Sequence, residues 1–157
     1  RKSVMEAAQN TFISSTFWTE RIGPTAALAT LNVMEKVKSW EIITAIGKEM
    51  REGWEKLANN YKLKISISGI PALSNYSFVS QNGLKYKTFI TQEMLKKGYL
   101  ASTSFYPSTA HNSENLYLYF EALNDVYYKI SECEKGALRI EDLLEGPICH
   151  TGFKRLN

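Results

Sequence analysis

Cysteine and histidine are the side chains best suited to nucleophilic or metal chemistry, and the chain has two of each: Cys133, Cys149, His111 and His150. The adjacent pair Cys149 and His150 could act as a nucleophile and its base. Neighbouring residues of an extended strand point to opposite faces, however, and no third group that would orient the base is evident. The four residues also lack the spacing of a zinc site. We therefore predict ordinary reduced cysteines and no metal.

A second group of candidates lies just before the first predicted helix. Ser15 and Thr16 supply hydroxyls, which in such a loop often cap the next helix. Arg21 could hold a carboxylate with two parallel hydrogen bonds, although a surface position or a structural pair with Glu20 is the simpler interpretation. His111 also precedes a predicted helix, and we expect its ring to cap that helix or bond a loop carbonyl rather than to catalyse.

The composition is that of a globular chain without an evident preference for nucleic acid or membranes. Its 157 residues, of which 44% are hydrophobic and 22% charged, suffice for one domain with its own core. The net charge of +3 is spread along the chain, whereas nucleic-acid binding requires a basic face or stripe. No apolar run reaches the roughly 20 residues of a membrane helix, and the basic start lacks the apolar core of a signal peptide. We therefore expect a cytoplasmic protein that binds neither nucleic acid nor membranes.

The hydrophobic patterns predict an α+β fold, with helices on one face of a small sheet. Helices are predicted over residues 25–38, 41–59, 86–97, 112–130 and 141–145. Alternating polar and apolar residues predict strands over 62–70, 75–80 and 99–102, in a mostly antiparallel sheet of three or four strands. The long N-terminal helix over 25–38 is rich in small side chains. Tyr119 and Tyr127 fall on the buried stripe of the helix over 112–130, so core packing explains them.

Two separate stretches of the sequence are similar to motifs of one known enzyme family. Ser15-Thr16-Phe17-Trp18-Thr19-Glu20-Arg21, leading into Ala26-Ala27-Leu28-Ala29-Thr30-Leu31, is similar to the family's threonine and Ala-rich helix that follow the cofactor lysine. Gly98-Tyr99-Leu100, continuing through Ser108-Thr109-Ala110-His111, is similar to its last strand, Ser-x-Ala-His turn and closing helix. Together the two stretches resemble class III aminotransferases, which are pyridoxal-phosphate (PLP) enzymes of fold type I. The resemblance covers about residues 4–132 and points to the glutamate-1-semialdehyde 2,1-aminomutase branch.

This resemblance implies the C-terminal part of a PLP-dependent aminotransferase (transaminase) or aminomutase (isomerase), which transfers an amino group through a Schiff base. It also implies a homodimer with shared active sites, acting on small-molecule amino donors and acceptors. Thr16, with Ser15, would contact the phosphate of the neighbouring subunit's PLP, because a phosphate dianion needs hydroxyl and N–H donors. Trp18 would line the substrate entrance or the dimer interface, and Arg21 would reach a substrate carboxylate.

The same resemblance implies a division of the chain and two departures from the family. Residues 1–24 would end the large domain with the phosphate loop, 25–60 would be connecting helices, 61–135 the small C-terminal domain and 136–157 a tail. Thr19, Glu20 and Arg21 replace the family's Gly, Asn and Pro, which alters the turn after Thr16. The family's Schiff-base lysine precedes the threonine by a few tens of residues, and we find no candidate for it among the lysines here. We expect no catalytic residue in the chain and no transamination by the isolated fragment.

Other functions remain open at this stage. The parent could be a class III aminotransferase acting on another amino acid or on an amino sugar, or the chain could be a non-catalytic α+β interaction module. The surface of the predicted helix over 25–37 distinguishes a piece of an enzyme from a non-catalytic interaction module. An orphaned small domain should expose an apolar face there, whereas an evolved module should have made that face polar.

Overall fold

Six helices and three strands form the parts of the chain that the computed structural model describes, residues 1–11 and 20–150. Contacts divide the chain into two units, Arg1–Lys38 and Ser39–Asn157. The elements in chain order are α1 (Lys2–Gln9), α2 (Ile22–Val37), α3 (Ser39–Asn60), β1 (Ile65–Ile70), β2 (Leu73–Phe78), α4 (Gly83–Lys96), β3 (Ser104–Phe105), α5 (Ser113–Glu134) and α6 (Ile140–Leu143). The predicted α+β class is thereby confirmed. The four-part domain division stays a prediction.

The helices of the first unit are α1 and α2. Helix α2 corresponds to the helix predicted over 25–38, and it ends where Lys38 adopts a left-handed conformation with φ 50°. Helix α1 was not predicted, because its sequence is short and polar and only one ion pair, Lys2 with Glu6 at 3.9 Å, supports it. No side chain of α1 or α2 is buried.

The sheet of the second unit has the order β1-β2-β3 with both pairings antiparallel. Ile65 lies opposite Phe78 and Ile67 opposite Tyr76. These four side chains share one face and belong to or pack against the core. The other face carries polar residues such as Ser66, which is exposed. The alternation that predicted the strands thus reflects a sheet covered by helices on one side.

The core of the second unit joins α3, α4 and α5 to that covered face. Helix α3 buries Ile46, Met50, Trp54 and Leu57 along one side, and Ile43 on the same side is half-buried. Helix α5 buries a second stripe that includes both tyrosines assigned to the core from the sequence, Tyr119 and Tyr127. Tyr127 packs against the aromatic residues of β2, with its ring centroid 5.6 Å from that of Phe78. Aromatic packing therefore provides much of the core.

The prediction of a strand over residues 99–102 was wrong. The pairing with β2 begins later, where Tyr76 N–H donates to Thr103 O at 2.9 Å and Asn75 lies opposite Ser104. Residues 99–102 carry no ladder hydrogen bonds, and Leu100 is 97% exposed. Gly98, at φ 85°, ends the preceding helical segment as expected of a C′ glycine. Local alternation indicates an extended segment, but it does not determine which of its residues meet the neighbouring strand.

None of the helices in residues 1–11 and 20–150 is both long and apolar enough to cross a bilayer.

Candidate functional site

A cleft of about 550 Å³ lies beside the edge strand β3 and is lined by residues of α3, of the segment around β3 and of α5. Its walls are mainly aromatic and aliphatic. The aromatic members are Trp54, Tyr99, Phe105, Tyr106 and Tyr119; the polar ones are Ser104, His111 and Asn115; and the remainder are Met50, Leu100, Ala101, Ala110 and Leu116. Clefts of this size and character are typical of small-molecule sites.

Three elements position the walls of the cleft. Met50 and Trp54 are four residues apart on α3, so they lie on the same side of that helix. Tyr119 projects from the buried stripe of α5. The antiparallel pairing of Ser74 with Phe105 fixes β3 beside β2, at the edge of the sheet. The cleft is thus formed entirely within the second unit.

A hydrogen bond between Trp54 and Tyr119 connects α3 to α5 in the wall of the cleft. Trp54 Nε1 lies 3.1 Å from Tyr119 Oη. An indole N–H only donates, so the tyrosine oxygen accepts and its own O–H remains to donate. That O–H makes no hydrogen bond to another of the described residues. Burial raises the pKa of Tyr119 to about 12, against the smaller lowering effect of the Trp54 hydrogen bond, so the hydroxyl stays protonated at neutral pH.

His111 has the structural role that the sequence predicted, although through an amide and not a carbonyl. Its Nδ1 lies 3.0 Å from the backbone N of Ser108, which donates to it. In the neutral ring the hydrogen must therefore be on Nε2. The ring also meets Phe105 edge-on, with centroids 5.0 Å apart. These contacts order the turn over residues 108–111 beside the cleft.

No aspartate, glutamate, lysine or arginine lines the cleft. An acid–base pair of the kind used in catalysis is therefore missing from its walls. No cluster of three or more metal-binding side chains occurs within residues 1–11 and 20–150. The arrangement can bind and orient a molecule, but its lining residues supply no evident group for bond-making.

Of the residues predicted to form a site, only Arg21 lies in the described part of the chain; Ser15, Thr16 and Trp18 lie outside it. Arg21 is an exposed residue directly before α2. It does not pair with Glu20, because the Glu20 carboxylate accepts hydrogen bonds from the amides of Ile22 and Gly23, both at 2.7 Å. Glu20 therefore caps α2, which the sequence analysis did not foresee.

The other amides in the first turn of α2 are equally unavailable. Pro24 has no N–H, and the Thr25 N–H donates to Arg21 O at 3.0 Å. The Glu20 carboxylate adds a negative charge at the same end of the helix. The start of α2 therefore has no free amide with which to bind an anion.

Cys149 and His150 do not form a catalytic pair. The amide of Cys149 donates to Thr88 Oγ1 at 3.0 Å, and its thiol lies 3.9 Å from Leu84 O. Both bonds tie the segment after α6 to α4. Both Cys133 and Cys149 are free thiols, as predicted.

The sequence analysis missed the cleft because its residues come from distant parts of the chain. Tyr119 was assigned to a buried stripe, which is correct, but its hydrogen-bond partner Trp54 is 65 residues away in the sequence. A buried Trp and a buried Tyr each need a hydrogen-bond partner. This requirement could have indicated that each side chain bonds to another residue, but it does not identify which residue that is.

The fold of this chain is similar to part of a solved structure, the PLP internal aldimine form of the FumI protein of Sphingopyxis sp. MTA144. The TM-score is 0.68 at 19% sequence identity, and the match covers 89% of this chain. The chain spans about a third of that protein, 34% of its length. No protein-family model and no curated protein matches the sequence. At this identity the likeness establishes the fold alone.

Proposed function

We propose that this chain is the C-terminal part of a PLP-dependent enzyme that transfers amino groups. The fold shared with part of a PLP-bound protein is the observation that carries the proposal. The motifs around Thr16 and His111, which resemble class III aminotransferases, support it from the sequence. On this proposal the lysine that bonds the cofactor belongs to another part of the parent enzyme.

Helix α2 supports a role within a larger protein. Its exposed side chains include Leu28, Leu31 and Val33, with exposed fractions of 64%, 58% and 58%. Large apolar side chains exposed together are typical of a surface that another polypeptide covers. A self-standing interaction module would be expected to carry polar residues there. We therefore favour a piece of an enzyme over a non-catalytic module.

When bound, PLP would supply the electron sink for amino-group transfer. The chain's own contribution would be to hold the cofactor phosphate through the hydroxyls of Thr16 and Ser15. The start of α2 does not fit that phosphate, because Glu20 occupies its amides and repels an anion. The hydroxyls would therefore have to make the contact without support from the helix, and we assign no further step to this part of the chain.

The finer features of the parent enzyme are part of the same proposal. We propose a cytoplasmic homodimer, in which the loop around Thr16 completes the site of the other subunit and Trp18 and Arg21 face the substrate. Its substrates would be a small-molecule amino donor and acceptor. The aminomutase-like motifs favour glutamate-1-semialdehyde aminomutase chemistry, with a transaminase acting on another amino acid or an amino sugar as the alternative.

Replacement of Thr16 tests the proposal in the full-length parent enzyme. Thr16→Ala removes a hydrogen bond to a charged phosphate, so we expect the dissociation constant for PLP to rise about tenfold or more. Thr11→Ala is the control, since its hydroxyl bonds Ala8 O within the chain and should not affect PLP. Absorbance titration of the apoenzyme with PLP measures both. Equal affinity of Thr16→Ala and wild type would contradict the assigned role.

A further inference from the structure

We propose that the cleft between α3, β3 and α5 binds an uncharged small molecule that combines a flat aromatic ring with one hydrogen-bond acceptor. The inference goes beyond the proposed function. The cleft lies within the second unit and uses none of the residues assigned to PLP, so it stands or falls independently of the cofactor.

The size and the aromatic walls define the body of the ligand. A volume of about 550 Å³ accommodates a ring with a short substituent. The rings of Trp54 and Phe105 meet edge-on with their centroids 6.5 Å apart. The rings of Tyr99 and Tyr119 do the same at a centroid distance of 6.2 Å. Aromatic pairs favour such edge-on or offset contacts, and a planar ring entering the cleft can form them with several walls.

The hydroxyl of Tyr119 defines the polar atom of the ligand. Its oxygen accepts from Trp54 Nε1, and Trp54 is only 1% exposed, so this pair is fixed before any ligand arrives. The tyrosine O–H is left to donate. A ligand that offers an acceptor, such as an ether or carbonyl oxygen, would satisfy it, whereas a purely hydrocarbon ligand would not.

The absence of basic side chains from the walls disfavours anionic ligands. A charged group loses its hydration on entering an apolar site and needs an opposite charge to compensate. None of the residues lining the cleft is an acid, a lysine or an arginine. The one imidazole among the lining residues, His111, has its Nδ1 bonded to Ser108 N–H. Anions should therefore bind more weakly than neutral molecules of the same shape.

Titration of the 157-residue protein with anisole and with ethylbenzene, followed by amide chemical shifts, tests the site. The two probes have the same number of heavy atoms and nearly the same size, and only anisole has an acceptor. We expect shift changes at residues 99–106, 110–111 and 115–119 with both probes. Anisole should bind about threefold more tightly, as the net value of one neutral hydrogen bond predicts. Absence of saturable shifts at these residues with either probe would overturn the proposal.

Three variants distinguish binding in the cleft from unspecific binding elsewhere on the protein. Ala110→Trp places an indole at the cleft, from an exposed position, and should abolish binding of both probes. Ala137→Trp is the matched control, because Ala137 is exposed and lies outside the cleft, and it should leave binding unchanged. Tyr119→Phe should remove the advantage of anisole while ethylbenzene still binds. Binding that survives Ala110→Trp, or a preference for anisole that survives Tyr119→Phe, would refute the assignment.

Discussion

Replacing Gly47 with alanine tests how closely α3 packs against the sheet. A Cβ added at Gly47 would lie 1.9 Å from the carbonyl oxygen of Pro71, in the turn between β1 and β2. The obstacle is backbone, so no side chain can rotate away from it. In an unobstructed helix alanine is more stable than glycine by about 1 kcal/mol. The sign of the stability change therefore reports whether this close approach exists.

The expected loss of unfolding free energy follows from the distance between the added Cβ and the carbonyl oxygen of Pro71. Restoring a contact of 3.0 Å requires α3 and the turn to separate by about 1.1 Å (3.0 − 1.9). Protein interiors are close-packed, and an overpacked core position costs about 1–3 kcal/mol. A contact this short belongs at the upper end of that range. After subtracting the helix gain of about 1 kcal/mol, we expect Gly47→Ala to lose about 2 kcal/mol of unfolding free energy.

Urea denaturation followed by circular dichroism measures the effect in a graded series. Gly53→Ala would place its Cβ 2.2 Å from the ring of Phe120, a side chain that can turn aside, so its loss should be smaller. Gly146→Ala has no heavy atom within 4 Å of the added carbon and should be close to neutral. A Gly47→Ala protein as stable as wild type, or more stable, would refute the packing of α3 on this turn.

Two further predictions concern electrostatics and capping. Burial acts to raise the pKa of Glu93, but hydrogen bonds from Lys96, Gln92 and Lys129 outweigh it and lower the pKa from 4.5 to about 2. A carboxyl with a lowered folded-state pKa stabilises fully above about pH 4.5, and this contribution is lost as the pH falls towards 2. Glu93→Gln should therefore reduce the acid-induced loss of stability in that window, by on the order of 1 kcal/mol after allowance for solvent screening. Urea denaturation of both proteins at several pH values measures this effect. If the unfolding free energies of Glu93→Gln and wild type depend on pH in the same way, the prediction is wrong. Asn112 caps α5 by accepting the Asn115 N–H at 2.8 Å, so Asn112→Ala should cost about 1 kcal/mol and Asn112→Asp much less, as measured by urea denaturation.

The sequence was sufficient to predict the helices and strands that are determined by neighbouring residues. Helix α5 carries a long periodic stripe, begins at a capping Asn112 and ends just before Gly136, which has φ 76°. Helix α3 has a comparable stripe. Both were predicted within a few residues, because helix periodicity and caps are properties of neighbouring residues. The alternation over β1 and β2 gave the antiparallel hairpin in the same way.

The features that depend on distant contacts could not be predicted. The third strand was placed over residues 99–102, but its position depends on where Asn75 and Ser74 meet it. The cleft depends on Trp54 and Tyr119 coming together across 65 residues. The capping role of Glu20 was hidden for a different reason, since Glu20 beside Arg21 suggested an ion pair in the sequence.

The central claim is that the chain belongs to a larger PLP enzyme, and the most direct test is the intact mass of the native protein together with its absorbance. We predict a polypeptide longer than this chain, with a cofactor band between roughly 330 and 430 nm where PLP forms absorb. A colourless native protein of 17.9 kDa that takes up no added PLP would contradict the claim.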